Sequence, residues 1–288
     1  MTSRASILPD NKFSIKLLLT LLFLLIVGIY WEILFKMGLD WYEDPNYSHG
    51  FFVPLFSAYV AWQKKDELTL SHGHWLGLPV LLFGMGILVL GQVGSENFLS
   101  RSSFVVILSG LIIFNFGLDC FRQLSFPVLF LFLMIPLPAI VFNQITFPLQ
   151  QLAARNAAWA LKLAGIPVLL DGNVIHLSHG SLGVTEACSG IRSLISLVTL
   201  SVIFAHLSMK RMWEKVVLVV SSLPITIFSN GFRIVVTAYI AQNYGMEYAE
   251  GFYHGFAGWI IFIVSFLLLF FVYKLIKLFG KHALRYES

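Results

Sequence analysis

The sequence predicts an all-α polytopic membrane protein: a single integral domain over 1–288, about eight transmembrane helices, and a small extracytoplasmic helix and β-hairpin between spans five and six. Three observations predict it. Hydrophobic residues make up 58% of the chain and charged residues only 12%, where soluble domains carry roughly a quarter charged. Mean hydropathy is +0.81. The apolar residues fall near 14–36, 51–63, 75–93, 103–118, 124–147, 188–207, 216–241 and 256–274. At about 20 residues per crossing, these stretches and their connections consume the chain and leave no room for a separate soluble domain.

The first stretch contains "LLLTLLFLLIVGIYWEILF" (17–35). It is too long for a signal-peptide core and no small-residue cleavage site follows, so it reads as a retained span. Spans two and four are short for a bilayer core of about 30 Å, and a count of seven or nine fits nearly as well. Between spans five and six, "QLAARNAAWALKLAG" (151–165) has helical periodicity, with Trp159 as an interfacial anchor. "VLLDGNVIHL" (168–177) then alternates around Asp171-Gly172, a hairpin signal. An exposed edge of that hairpin is suited to binding an extended peptide by strand addition.

Charge sets the orientation. With a cytoplasmic N-terminus, the inner segments hold Arg4, Lys12, Lys16, Lys64, Lys65, Arg122, Lys210, Arg211, Lys215, Lys274, Lys277, Lys281 and Arg285, which is 13 of the 19 basic residues. The outer segments hold Lys36, Arg101, Arg155 and Lys162, so both termini are expected in the cytoplasm. The net charge of +4 is accounted for by this topology and calls for no nucleic-acid partner. The expected partners are the lipid bilayer and whatever the outer-face chemistry acts on, with the oligomeric state open.

That chemistry is concentrated in "GVTEACSGIRSL" (183–194), which holds Glu186, Cys188, Ser189 and Arg192 inside an otherwise apolar region. A lone cysteine in a membrane helix is most often a small hydrophobe. Here Thr185 is a plausible N-cap, which would put Cys188 in the first helical turn with Arg192 on the same face; both the helix dipole and the guanidinium favour a thiolate. Cys120 falls in an inner loop, on the other side of the bilayer, so the two thiols are not expected to pair. Arg233, in "SNGFRIVV", lies about 26 Å from the inner end of span seven and hence in the outer leaflet. An arginine there costs on the order of 3 kcal/mol unless it snorkels or serves a site. Ser229, Asn230 and Gly231 can break the helix into a polar pocket, and Pro224 can kink it. His254, in "EGFYHGFAGW", and His49, in "YSHG", join the same face. With His176 and His179 they raise the question of a metal, but no HxxxH or CxxC is present and no recognised metal spacing appears. Neither a metal nor another cofactor is expected. Thiol, imidazole and arginine suit covalent acyl transfer better than zinc chemistry.

Taken together, "EACSGIRS", "NGFRI" about 40 residues on and "YHGFAGW" about 20 beyond, with the early "YSHGFFVPLFSAYVAW", resemble the exosortase and archaeosortase family over roughly residues 40–275. The resemblance implies a membrane cysteine peptidase or transpeptidase of the inner (plasma) membrane, with its active site facing the periplasm. It would cleave a C-terminal sorting signal made of a Pro-Glu-Pro-type motif, one membrane helix and a basic tail. In Gram-negative hosts such processing accompanies exopolysaccharide production. Carried over, Cys188 is the nucleophile that forms a thioester, and Arg233 and His254 complete the triad. Glu186, Ser189, Arg192, Asn230 and His49 are supporting or substrate-binding residues. The competing class is a non-enzymatic transporter or polysaccharide-export component, since intramembrane arginines and a broken span are common in transporters. Against it, the polar residues gather at one face, not at the midplane, and no inverted repeat is evident.

Overall fold

A computed structural model describes residues 12–69, 71–178, 180–184, 190–249 and 252–286. They fall into two compact units, residues 1–44 with 50–136 and residues 45–49 with 137–288.

The first unit is helical throughout. Helix α1 (Lys12–Glu43) is followed by a 3-10 turn (Ser48–Phe51), α2 (Phe52–Gln63), α3 (Gly77–Val93) and α4 (Asn97–Phe130), which runs into a second 3-10 turn (Leu131–Met134). Helices α3 and α4 pack on glycines spaced by sevens. A Cβ at Gly91 would meet the Ser100 amide nitrogen at 2.6 Å, one at Gly84 would meet Ile107 Cγ1 at 2.7 Å, and one at Gly77 would collide with Phe114. In lipid no hydrophobic force drives helices together, so close backbone approach over small residues supplies the attraction.

Gly117 divides α4. Its φ of 84° and ψ of 173° are non-helical and sit on the left-handed side that glycine alone adopts freely. The carbonyls released before the break are recovered by the preceding linker: Ser71 N and Oγ donate to Phe116 O at 3.3 and 3.2 Å, and His74 N donates to Ile113 O at 3.0 Å. The first half of α4 runs antiparallel to α3. The second half runs antiparallel to α2, with Phe56 edge-on to Phe130 at 5.4 Å and Lys64 Nζ donating to Gln123 O at 2.8 Å. Gln123 also exchanges two hydrogen bonds with Thr69, both at 2.9 Å. The opposite end is closed by Trp41 Nε1, which donates to Met134 O at 2.8 Å.

In the second unit, α5 (Ala139–Leu163) leads into a three-stranded antiparallel sheet, β1 (Leu169–Asp171), β2 (Val174–Leu177) and β3 (Gly180–Gly183). Then come α6 (Ile191–Ser208), α7 (Met212–Tyr244), a single turn α8 (Met246–Ala249) and α9 (Phe252–Tyr286). One core joins Ala153, Ala154, Ala157 and Leu161 of α5 to Ile175 and Leu182 of the sheet, Val184 after it, and Ile234 and Ala238 of α7. Another joins Leu197 and Ala205 of α6, Met209 after it, Leu218 of α7, and Leu269 and Ile276 of α9. Helix α7 contributes to both and so is the unit's central element.

The expected all-α membrane architecture stands, but the eight spans are not matched one for one. Among the described residues, five segments are long and apolar enough to cross a membrane: Thr20–Glu43, Asn97–Met134, Ile191–Ser208, Met212–Tyr244 and Gly258–Phe279; Gly77–Val93 is shorter. With 12 residues, α2 would rise only about 18 Å. The stretch expected as span five (124–147) is cut at Ile135-Pro136-Leu137-Pro138, where proline denies the backbone donors a helix needs and keeps the preceding residues extended. The expected separate helix over 151–165 is instead the second part of α5. That helix carries one buried stripe, Phe142, Thr146, Gln150, Ala153, Ala157 and Leu161, straight past Pro148. The hairpin is present with a third strand added. Its closing pair is Asp171 with Val174, and Gly172, at φ 59°, takes the first turn position, as a type II′ turn requires. Cys120, expected in an inner loop, is a buried residue of α4. Helix α7 is unbroken at Ser229-Asn230-Gly231, contrary to expectation.

Candidate functional site

Helix α7 buries a polar stripe inside an apolar helix. Ser222, Thr226, the adjacent Ser229 and Asn230, Arg233 and Thr237 fall on one helical stripe and are all buried. Two of their hydroxyls are satisfied within the helix, Ser222 Oγ on Val219 O at 2.6 Å and Thr226 Oγ1 on Ser222 O at 2.8 Å, so the helix carries this polarity without breaking. Asn230 and Arg233 are 3% and 8% exposed.

Two glycines from other elements close on this turn. Gly190 is the N-cap of α6, at φ 81° and ψ 0°. A Cβ there would stand 3.0 Å from Asn230 Cγ and 3.1 Å from its Cβ. Gly258 of α9 faces Arg233: a Cβ would lie 3.5 Å from Nη2 and 3.7 Å from both Cζ and Nη1, so the guanidinium lies flat against the glycine. His254 is four residues before Gly258 in the first turn of α9, and its side chain lies outside the described residues.

Glu186, Cys188 and Ser189 fall in 185–189, outside the described residues, as does Thr185. The chain on either side of them is held in place. Before them, Val184 N donates to Asn173 O at 2.9 Å, Asn173 Nδ2 donates to Val184 O at 3.0 Å, and Val184 is fully buried against the α7 core. After them, Gly190 is seated on Asn230. The cap of α6 is therefore Gly190, and Arg192 lies in the first turn of the helix that follows.

Arg192 is exposed and donates from Nε to Asn46 Oδ1 at 3.4 Å. Asn46 and His49 are both buried, at 6% and 9% exposure, and belong to the short segment 45–49 that joins the second unit. In the same segment the Tyr47 ring packs 6.0 Å from Phe142 of α5. Asn46 and Gly258 are site residues the sequence did not single out. His176 stands apart from the group, its Nδ1 2.7 Å from Ser181 Oγ across β2 and β3. In one unit the structure thus collects Asn46, His49, Gly190, Arg192, Asn230, Arg233 and Gly258, with the flanks of the Cys188 segment fixed on α7.

A family model for transmembrane exosortases matches residues 41–271, most of the chain, from the α1 C-terminus into the membrane part of α9. The chain belongs to the transmembrane exosortase family. Neither a curated protein nor a solved structure matches it. Family membership makes this exosortase a multi-pass membrane protein of a cysteine transpeptidase family that acts on proteins bearing sorting signals. The match reaches both units and takes in α2, α3 and α4 of the first.

Proposed function

We propose that this exosortase cleaves C-terminal sorting signals through a thioester on Cys188, with His254 as proton-transfer partner and Arg233 as oxyanion stabiliser. The observation that carries the reading is the double glycine contact on one turn of α7. Cys188 is two residues ahead of Gly190, so covalent reach alone keeps it within about 7 Å of that glycine along the chain. Gly190 sits on Asn230, and Arg233 follows one turn later, about 4.5 Å along the axis. Arg233 lies on Gly258, and His254 precedes Gly258 by one turn, about 6 Å. These contacts support a shared site to which three separate chain segments contribute thiol, guanidinium and imidazole.

In the first step the Cys188 thiol gives its proton to the His254 imidazole and the thiolate attacks the scissile carbonyl carbon. Arg233 donates hydrogen bonds to the resulting oxyanion, a task suited to a planar, multi-donor cation held out of water. Collapse breaks the C–N bond, and the imidazolium returns its proton to the departing amine. The thioester is then resolved by water or by an amine. Asn46 holds Arg192 beside the start of α6, where Arg192, with Glu186, Ser189, Asn230 and His49, supports the nucleophile or grips the substrate motif. The substrate class is a protein tethered by its own terminal helix, with a Pro-Glu-Pro-type motif before that helix and a basic tail after it. Tethering replaces much of the binding energy that a soluble protease needs. The enzyme is placed in the inner membrane with eight passes, both termini cytoplasmic and the site on the periplasmic side, in a pathway linked to exopolysaccharide production. The reversal of α4 at Gly117 supports counting its two halves as separate passes.

The test is co-expression with a tripartite-signal substrate. Cys188→Ala should insert normally and leave the substrate uncleaved. Cys188→Ser should be nearly as inactive, because a hydroxyl gains little from groups that stabilise a thiolate. Mass spectrometry of wild-type enzyme with substrate should find a hydroxylamine-labile adduct on Cys188. Unaltered cleavage by Cys188→Ala at wild-type expression would end the proposal.

A further inference from the structure

The α1–α4 unit contains a cleft of about 360 Å³ between α1, the end of α3 and the start of α4, within the size range of small-molecule sites. We propose that it binds the phosphate group of a membrane phospholipid, with Arg101 and Lys36 as the phosphate contacts. The inference is independent of the catalytic reading, and none of its residues belongs to the site on α7.

The lining changes character along the helices. Ile29 and Ile33 of α1 and Leu88 of α3 form an apolar wall; one turn further on, Lys36 and Gln92 continue those same helix faces, and Arg101 enters from the first turns of α4. This gradient from apolar to polar and basic, with Glu32 beside Ile33 in the lining, ends at the α3–α4 turn, where α3 stops and α4 begins. A glycerophospholipid has the same gradient, acyl chains below and a phosphodiester above. A free anion would gain nothing from the isoleucines and the leucine.

Arg101 is only 5% exposed although it borders the cleft. Its Nη2 pairs with Asp40 at 2.6 Å. That pair offsets the cost of burying the charge and engages one corner of a five-donor fork, which suits bidentate phosphate recognition. Lys36 pairs with Glu32 at 2.7 Å, but both side chains are more than 60% exposed. Such a pair is worth little, so Lys36 can exchange Glu32 for a phosphate oxygen and leave the carboxylate to water. The amides at the start of α4 are not the phosphate ligands, because Glu96 Oε2 already accepts from Phe98 N and Leu99 N at 3.1 and 3.2 Å.

The experiment is native mass spectrometry of the full-length protein, delipidated in detergent and titrated with palmitoyl-oleoyl phosphatidylglycerol. Monogalactosyldiacylglycerol serves as the phosphate-free lipid and millimolar inorganic phosphate as competitor. One saturable phospholipid per chain is expected, little glycolipid, and no displacement by phosphate. Lys36→Gln should weaken binding about fivefold, as expected for one basic side chain at a membrane surface. Gln92→Trp, at a partly solvent-facing position, should fill the cleft and abolish the saturable adduct without removing a charge. Because Arg101 is buried and replacing it perturbs packing as well as charge, these two variants carry the test. Equal retention of the glycolipid would overturn phosphate recognition. Displacement by inorganic phosphate would make this a soluble-anion site and overturn the lipid assignment. Wild-type affinity in both variants would overturn the location.

Discussion

Gly190→Ala should injure both folding and catalysis, and the structure separates the two causes of the loss. The first is backbone strain: at φ 81° an alanine pays the left-handed penalty of about 1–2 kcal/mol. The second is crowding, since the new methyl would stand 3.0, 3.1 and 3.2 Å from Asn230 Cγ, Cβ and Nδ2. Gly165 isolates the strain, because it has a similar φ of 78° and nothing within 4 Å of its would-be Cβ. Gly165→Ala should therefore cost about 1–2 kcal/mol with little effect on turnover. Gly190→Ala should cost at least 1 kcal/mol more and depress cleavage, because Asn230 must shift on the turn that carries Arg233. Asn230→Ala removes two of the three crowding atoms, so the Gly190→Ala/Asn230→Ala double variant should recover about 0.5–1 kcal/mol relative to additivity. Detergent-denaturation midpoints of the four proteins, with substrate cleavage in parallel, measure both terms. Equal losses for Gly165→Ala and Gly190→Ala, with additive behaviour in the double variant, would refute the argument that Gly190 is seated on Asn230.

Three further outcomes follow from the site. Gly258→Ala should retain most activity, because its methyl meets the Arg233 guanidinium at ordinary contact distance, 3.5 Å or more, whereas Gly258→Leu should abolish cleavage; comparable rates for the two would show that α9 does not position Arg233. Arg233→Lys should fail to restore cleavage to an inactive Arg233 variant even though charge is kept, since a lysine offers no planar fork; near-normal processing would reduce Arg233 to a point charge. In a Cys120→Ala background, a membrane-impermeant maleimide should label Cys188 in intact spheroplasts. Labelling only after permeabilisation would reverse the proposed orientation.

The sequence made parts of this molecule legible in proportion to how local their causes were. The polarity of Asn230 and Arg233 inside an apolar run identified the α7 face without any structure. The reversal near Gly117 was readable as a gap between apolar stretches, but the helix resumes immediately after the glycine, so the inner loop expected to hold Cys120 does not exist. Strand β3, "GSLG", has no alternation to detect; it is a strand because Leu182 pairs with Ile175 on β2. The separate helix expected over 151–165 is continuous with what precedes it, because the buried stripe of α5 runs on past Pro148. Asn46 was illegible for a different reason: it lies just before the "YSHG" stretch, and its partner Arg192 is 146 residues away.

The placement of small residues explains how a polar site persists in an apolar unit. A buried guanidinium needs fixed neighbours, and flexible side chains around it would let it leave for the headgroups. Gly190 and Gly258 remove that freedom by bringing backbone, not side chain, against Asn230 and Arg233. The same device appears in the other unit, where Gly77, Gly84 and Gly91 seat α3 on α4. There the glycines seat one helix on another; on α7 they also hold in register the turn that carries Asn230 and Arg233. Losing a methyl-sized clearance at α3 should therefore lower stability, whereas filling the space at Gly258 with a side chain larger than a methyl should lower turnover more than stability, a division that parallel melting and cleavage measurements on Gly84→Ala and Gly258→Leu would test.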